Sequence, residues 1–141
     1  MVCYNIPMSD KPLVLLVDDE EVFLEIASVK LQAEGFATVL AQGAREGFEV
    51  AERMMPDLVL SDIYMPPGPS GWELALELRR NPKTATIKVA FFTSLRDPWI
   101  EFRGDRKTIA EELGSVTFFS KTDDVDRLGD EIKKLVQASA G

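Results

Sequence analysis

No histidine occurs anywhere in the chain. That removes imidazole acid–base chemistry and every metal site built on histidine. Cysteine occurs once, as Cys3, so no internal disulfide can form; a reducing, cytoplasmic location is the expectation. No apolar run approaches the about 20 residues that span a bilayer. Residues 1–12 carry no basic segment followed by an apolar one, so neither a membrane span nor a secretory leader is expected. Positive charge is in deficit: 16 Lys and Arg against 24 Asp and Glu give a net charge of −8. Nucleic acid and anionic membranes both select a basic face, so direct binding to either is not expected.

What remains is an ordinary globular composition, 45% hydrophobic and 28% charged over 141 residues, enough for one sizeable core. Residues 1–11 read as a polar N-terminal tail and residues 12–141 as one domain. Neither an internal repeat nor a linker interrupts it.

Five short apolar runs alternate with helical patterns. Leu13 to Val17 is a continuous apolar run, the signature of a strand covered on both faces. A helix follows, with Phe23, Ile26, Ala27 and Leu31 on one face and Gly35 as its stop. Phe36 to Leu40 is a second strand. Ala44, Phe48, Ala51 and Met55 then mark a second helix, broken by Pro56. Leu58 to Ser61 is a third strand, followed by a loop from Met65 to Gly71 dense in turn formers. Helix three runs from Trp72 to Arg80 and ends at Asn81-Pro82. Ile87 to Phe92 is strand four. The segment from Leu95 to Asp105 mixes aromatic and charged residues, and Lys107 to Leu113 is helical. Val116 to Ser120 is strand five. The last helix starts near Asp123 or Asp124, with Val125, Leu128, Ile132 and Leu135 inside, and frays from Ala138. Such alternation means a parallel sheet with helices on both faces and right-handed crossovers.

In a parallel sheet the carboxyl ends of all strands share one edge, where ligands bind. Strand one ends on Asp18 and Asp19, strand three on Asp62, strand four on Thr93 and strand five on Lys121. Three carboxylates in one crevice disfavour one another's ionised forms unless a cation joins them. Oxygen donors without histidine or cysteine select a hard ion, and Mg²⁺ is the natural candidate. Lys121 and a hydroxyl can neutralise the oxygens of a phosphoryl group, leaving Asp62 as a carboxylate nucleophile that forms an aspartyl phosphate.

Leu16-Val17-Asp18-Asp19-Glu20, Asp62-Ile63-Tyr64-Met65-Pro66, Phe92-Thr93-Ser94 and Phe118-Phe119-Ser120-Lys121 together resemble the response-regulator receiver domain of two-component signalling. The likeness covers about Pro12 to Ala138. It implies a flavodoxin-like, doubly wound sheet of five parallel strands in the order 2-1-3-4-5. It implies that Asp62 is phosphorylated by a histidine kinase or a histidine phosphotransfer protein. Asp19 and Asp62 would then ligate Mg²⁺ with the backbone carbonyl of Tyr64, and Asp18 would hold a metal-bound water. Thr93 and Lys121 would contact phosphoryl oxygens. Phe118 falls at the aromatic switch position, whose ring turns as Thr93 moves, and the signal leaves through helix four, strand five and helix five. A downstream protein partner, or a phosphorylation-dependent homodimer, would read that face. Such a protein is a switch rather than an enzyme, reset by hydrolysis of its own phosphate.

The sequence departs from the family in three places. Lys121 is followed by Thr122 where proline is usual, and a trans bond is expected there. The loop after Met65-Pro66 is one residue longer. The stretch between Thr93 and Lys121 is longer by roughly half a dozen residues, around Asp97 to Lys107. Its Trp99 and Phe102 either pack the longer helix or modify the partner surface, altering dimerisation or target choice. An alternative function on the same fold is a phosphorylation-independent interaction module, against which the intact acidic set argues. A phosphohydrolase resembling the haloacid dehalogenases would want an acid at Tyr64, which is absent.

Overall fold

The computed structural model describes residues 11–94, 111–114, 117–121 and 125–140. Its sheet contains β1 (Leu13–Val17), β2 (Ala37–Ala41), β3 (Leu58–Ser61), β4 (Lys88–Thr93) and β5 (Thr117–Ser120). All pair in parallel, in the order β2-β1-β3-β4-β5. The helices are α1 (Glu21–Ala33), α2 (Ala44–Met54), α3 (Gly71–Arg80) and α4 (Leu128–Ala140). Residues 111–113 are helical and fall at the end of the helix expected between β4 and β5. The tail, the longer segment around Asp97 to Lys107 and the Lys121-Thr122 bond lie outside the described residues.

Side chains alternate across a strand, so each strand feeds two cores. Val14, Leu16, Leu58, Leu60, Ala90, Phe92 and Phe119 pack with Leu24, Ala27 and Leu31 of α1 and Leu128 and Ile132 of α4. Leu15, Val17 and Val59 pack on the other side with Ala44, Val50 and Ala51 of α2 and Leu74 and Leu78 of α3. Further along that second side, Phe91 meets Trp72 and Ala75 of α3 and Leu113, with Phe118 against them. Burial on both faces is why β1 and Leu58 to Leu60 of β3 are apolar at every position rather than at every second one.

Element ends follow local chemistry. In α1 the chain stops where predicted: Gly35 adopts φ 97°, and Phe36 N–H donates to Leu31 at 3.0 Å while Gly35 N–H donates to Gln32 at 3.1 Å. That is a Schellman closure, which needs the left-handed residue that glycine supplies. In α3, Ser70 and Glu73 form a reciprocal capping box: the Ser70 hydroxyl accepts from Glu73 N–H, and the Glu73 carboxylate accepts from Ser70 N–H at 2.7 Å.

Some expectations need correction. Ile26 is 45% exposed; the inner face of α1 is Leu24, Ala27, Ser28 and Leu31, a rotation of the helix that turns Ile26 outward. Met55 is the left-handed C-cap of α2 (φ 49°) rather than part of its apolar face, because the helix must end before Pro56. Gly47 and Val50 take inner positions of α2 instead. Strands two and four run one residue later than predicted, over Ala37–Ala41 and Lys88–Thr93. The last helix opens with a 3₁₀ turn at Val125–Arg127 and stays helical to Ala140 instead of fraying from Ala138. Among the described residues, no helix is long and apolar enough to cross a membrane.

Candidate functional site

The strand ladder continues one step past the strand ends. Asp62 N–H donates to Val17 C=O at 2.8 Å, Asp18 N–H to Ala41 C=O at 3.1 Å, and Lys121 N–H to Thr93 C=O at 3.0 Å. The sheet's own hydrogen bonds therefore fix the backbones of the three charged residues. Side-chain direction follows from the two-residue period. Asp18 continues the series Val14, Leu16; Asp62 continues Leu58, Leu60; Lys121 continues Phe119. All three thus lie toward the α1 and α4 side. Thr93 follows Phe91 by two, so Thr93 and Phe118 belong to the α3 side.

Lys121 is the hub. Its Nζ donates to Asp18 Oδ2 at 2.5 Å, Glu20 Oε1 at 2.9 Å and Asp62 Oδ2 at 3.0 Å. It also lies 4.4 Å from the centre of the Phe23 ring, a favourable cation–π placement. The lysine side chain is only 7% exposed. Burial opposes its charge, but the hydrogen bond it donates to Asp18 and the charge of Asp62, with Glu20 adding to them, outweigh it and push the lysine above its usual range. Asp18 goes the other way. Burial raises its carboxyl to about 6, against hydrogen bonds from Lys121 and Glu20 N–H and with the Asp62 charge adding to the rise. Two buried carboxylates share one ammonium, so pairing does not compensate both.

Asp62 is held on three sides. Its Oδ1 accepts from Ile63 N–H at 2.7 Å, its Oδ2 faces Lys121, and its backbone carbonyl accepts from the Ser61 hydroxyl at 2.7 Å. The loop that follows closes at Gly71, whose N–H donates to Ile63 C=O at 2.8 Å. A Cβ on Gly71 would stand 2.2 Å from the Asp62 carbonyl oxygen, so only glycine admits this approach. The same loop contains a cis Pro66-Pro67 bond.

Of the predicted residues, Asp18, Asp62 and Lys121 meet directly. Thr93 is buried at the end of β4, where its backbone carbonyl accepts from Lys121 N–H, and Phe118 lies one strand away with its ring stacked on Phe91 at 5.6 Å and edge-on to Trp72 at 5.7 Å. Asp19 is exposed, and Tyr64 is 50% exposed. Among the described residues the three carboxylates whose oxygens come within 4.8 Å of one another are Asp18, Glu20 and Asp62. Glu20 was not singled out from the sequence, where it is one of four consecutive acids. No signal in the sequence separates it from its acidic neighbours, because β1 ends at Val17 and Glu20 is the N-cap of α1, where the strand period no longer applies. Hard oxygen donors at this spacing, with no histidine or cysteine among them, fit a Mg²⁺ ion.

The sequence matches the family model described as the response regulator receiver domain over residues 14–133. The chain belongs to this family. Among curated relatives, it is 32% identical over 108 residues to the phosphate regulon transcriptional regulatory protein PhoB of Pseudomonas aeruginosa, covering 77% of this chain and 44% of that protein. It is 31% identical over 124 residues to the response regulator PleD of Caulobacter vibrioides, covering 88% of this chain and 26% of PleD. The chain thus spans less than half the length of either relative. Among solved structures, a CheY-like receiver domain protein from Methanospirillum hungatei superposes with a TM-score of 0.77 at 22% identity, over 93% of this chain and 98% of that one. The receiver domain of a signal transduction histidine kinase from Syntrophus aciditrophicus gives 0.73 at 27%, over 90% and 91%. Receiver domains are phosphoacceptor switches of two-component systems rather than classical enzymes. They bind Mg²⁺ at an acidic pocket and interact with histidine kinases and downstream effectors.

Proposed function

We propose that Asp62 accepts the phosphoryl group in this receiver. The observation that carries the reading is the convergence of Asp18, Asp62 and Lys121 on one buried crevice, with Asp62 Oδ2 in contact with the lysine ammonium. A carboxylate oxygen of Asp62 forms the new O–P bond. The P–N bond of a phosphohistidine on a histidine kinase or phosphotransfer protein breaks, and its electron pair stays on the imidazole. Lys121 and Thr93 take the phosphoryl oxygens, offsetting charge that develops in a site largely shielded from water. Asp19, Asp62 and the Tyr64 carbonyl would hold Mg²⁺, with Asp18 on a metal-bound water, and the bound ion would offset the negative charge of the phosphoryl oxygens. Reset is attack of water on phosphorus, returning the Asp62 carboxylate and inorganic phosphate.

Thr93 and Phe118 lie on the opposite side of the sheet from Lys121 and share that side with Trp72 and Phe91. Movement of Thr93 toward the phosphoryl group repacks Phe118, and the surface made by residues 111–113, β5 and α4 carries the change to a protein partner or a second copy. This is the face that the sequence assigns to helix four, strand five and helix five. The test is incubation with Mg²⁺ and acetyl phosphate, read by intact-mass spectrometry. The wild type should gain one phosphoryl group, labile to hydroxylamine, and Asp62→Asn should gain none. A wild type that stays unmodified, and does not bind beryllofluoride either, would favour the phosphorylation-independent module.

A further inference from the structure

Glu20 is the N-cap of α1, where an acid ordinarily accepts from the helix's first free N–H groups. Its side chain makes no capping bond. It reaches instead to Lys121, 101 positions away in the chain, at 2.9 Å. Its backbone is set by the site as well, since Glu20 N–H donates to Asp18 Oδ1 at 2.9 Å. An ammonium has three protons to donate, and Lys121 faces three carboxylates: Asp18, Glu20 and Asp62. Its donors are all committed.

A phosphoryl oxygen that takes a hydrogen bond from Lys121 must therefore displace one of these partners. Asp62 is the acceptor itself. The Asp18 side chain is 4% exposed, and stripping it of its ammonium would leave a buried charge alone. The Glu20 side chain is 65% exposed and has water at hand to replace the lost contact. Release from Glu20 costs least.

We propose that Glu20 is a positioning residue that parks Lys121 in the resting site and yields it to the phosphoryl group. The proposal rests on Asp62 being the phosphoacceptor. It makes Glu20 do two opposed things: its charge favours the cation, and its hold on Lys121 works against the anion.

The experiment uses the full chain and two probes, Mg²⁺ alone and beryllofluoride at saturating Mg²⁺, each titrated by ¹⁵N amide shifts. Glu20→Gln should weaken Mg²⁺ binding and tighten beryllofluoride binding, each by about threefold, the scale of a solvent-exposed ion pair. Glu20→Asp keeps the charge on a shorter arm; it should leave Mg²⁺ affinity near wild type and still tighten beryllofluoride. A loosened fold cannot move two affinities in opposite directions, and equal thermal midpoints would show the fold intact. Both affinities falling together, or beryllofluoride affinity unchanged in both variants, overturns the proposal. A wild type that binds no beryllofluoride in Mg²⁺ overturns the phosphoacceptor reading, and this proposal with it.

Discussion

Asp18 holds its proton to about 6, against 3.8 for an ordinary aspartate, chiefly because it is buried. Between those values the native state binds more protons than the unfolded chain, so this group's contribution to stability falls as pH rises. The penalty is absent below the unfolded value and complete above about 6, and a shift of this size corresponds to about 3 kcal/mol at most. Asp18→Asn should therefore gain stability over wild type at pH 7.5 and much less at pH 4.5, measured by urea unfolding at both pH values. An equal gain at both would show that burial is not straining the carboxylate. Which residues meet at the strand ends was largely legible in the sequence. Asp18, Asp62, Thr93 and Lys121 each end an apolar run, and an abrupt polar residue after such a run falls on the functional edge of a parallel sheet. Glu20 was not legible, because a run of four acids gives no sign of which carboxylate turns inward.

At the scale of elements, the third helix is anchored to the end of β3 by a missing side chain. Gly71→Ala would place a methyl group 2.2 Å from the Asp62 carbonyl oxygen, a backbone atom that cannot swing away. The expected loss is about 1–3 kcal/mol, the range for overpacking. It should appear as a lower urea midpoint at unchanged slope, together with slower phosphorylation by acetyl phosphate. The aromatic group on the α3 side offers a second test. Trp72 is almost fully buried and meets both Phe91, at 4.6 Å, and Phe118, at 5.7 Å. In a Trp99→Phe background, beryllofluoride with Mg²⁺ should change Trp72 emission, and Phe118→Leu should remove most of that change. The element types could be read from apolar runs and turn residues. The rotation of α1 and the left-handed Met55 could not, because they depend on how each helix docks rather than on its own periodicity.

At the scale of the whole molecule, the net charge of −8 and the crowded acidic crevice lead to the expectation that a divalent cation stabilises the folded state. A ligand that binds only the native form at about 100 times its dissociation constant adds about 2.7 kcal/mol. For a domain of this size that is roughly 5–10 °C in thermal midpoint. Mg²⁺ should raise Tm by this order above a NaCl control of equal ionic strength, and Asp62→Asn should lose most of the rise. A similar rise in NaCl would reduce the effect to general screening. The five-stranded order was legible because five strand–helix alternations, and the family likeness, allow few arrangements. The tie from Glu20 to Lys121 was not, because it joins positions 101 residues apart that only the folded sheet brings together.

The alternation of side chains that sends Asp18, Asp62 and Lys121 to one side of the sheet and Thr93 and Phe118 to the other has a further consequence. Under the proposed function, the strands would be a partition with a writing side and a reading side, joined at their shared edge. Positions that pack Phe118 differ in parity from those that pack Lys121. Under that function, a new partner would be fitted by changing one set of alternate residues, while the site at the strand ends stays as it is.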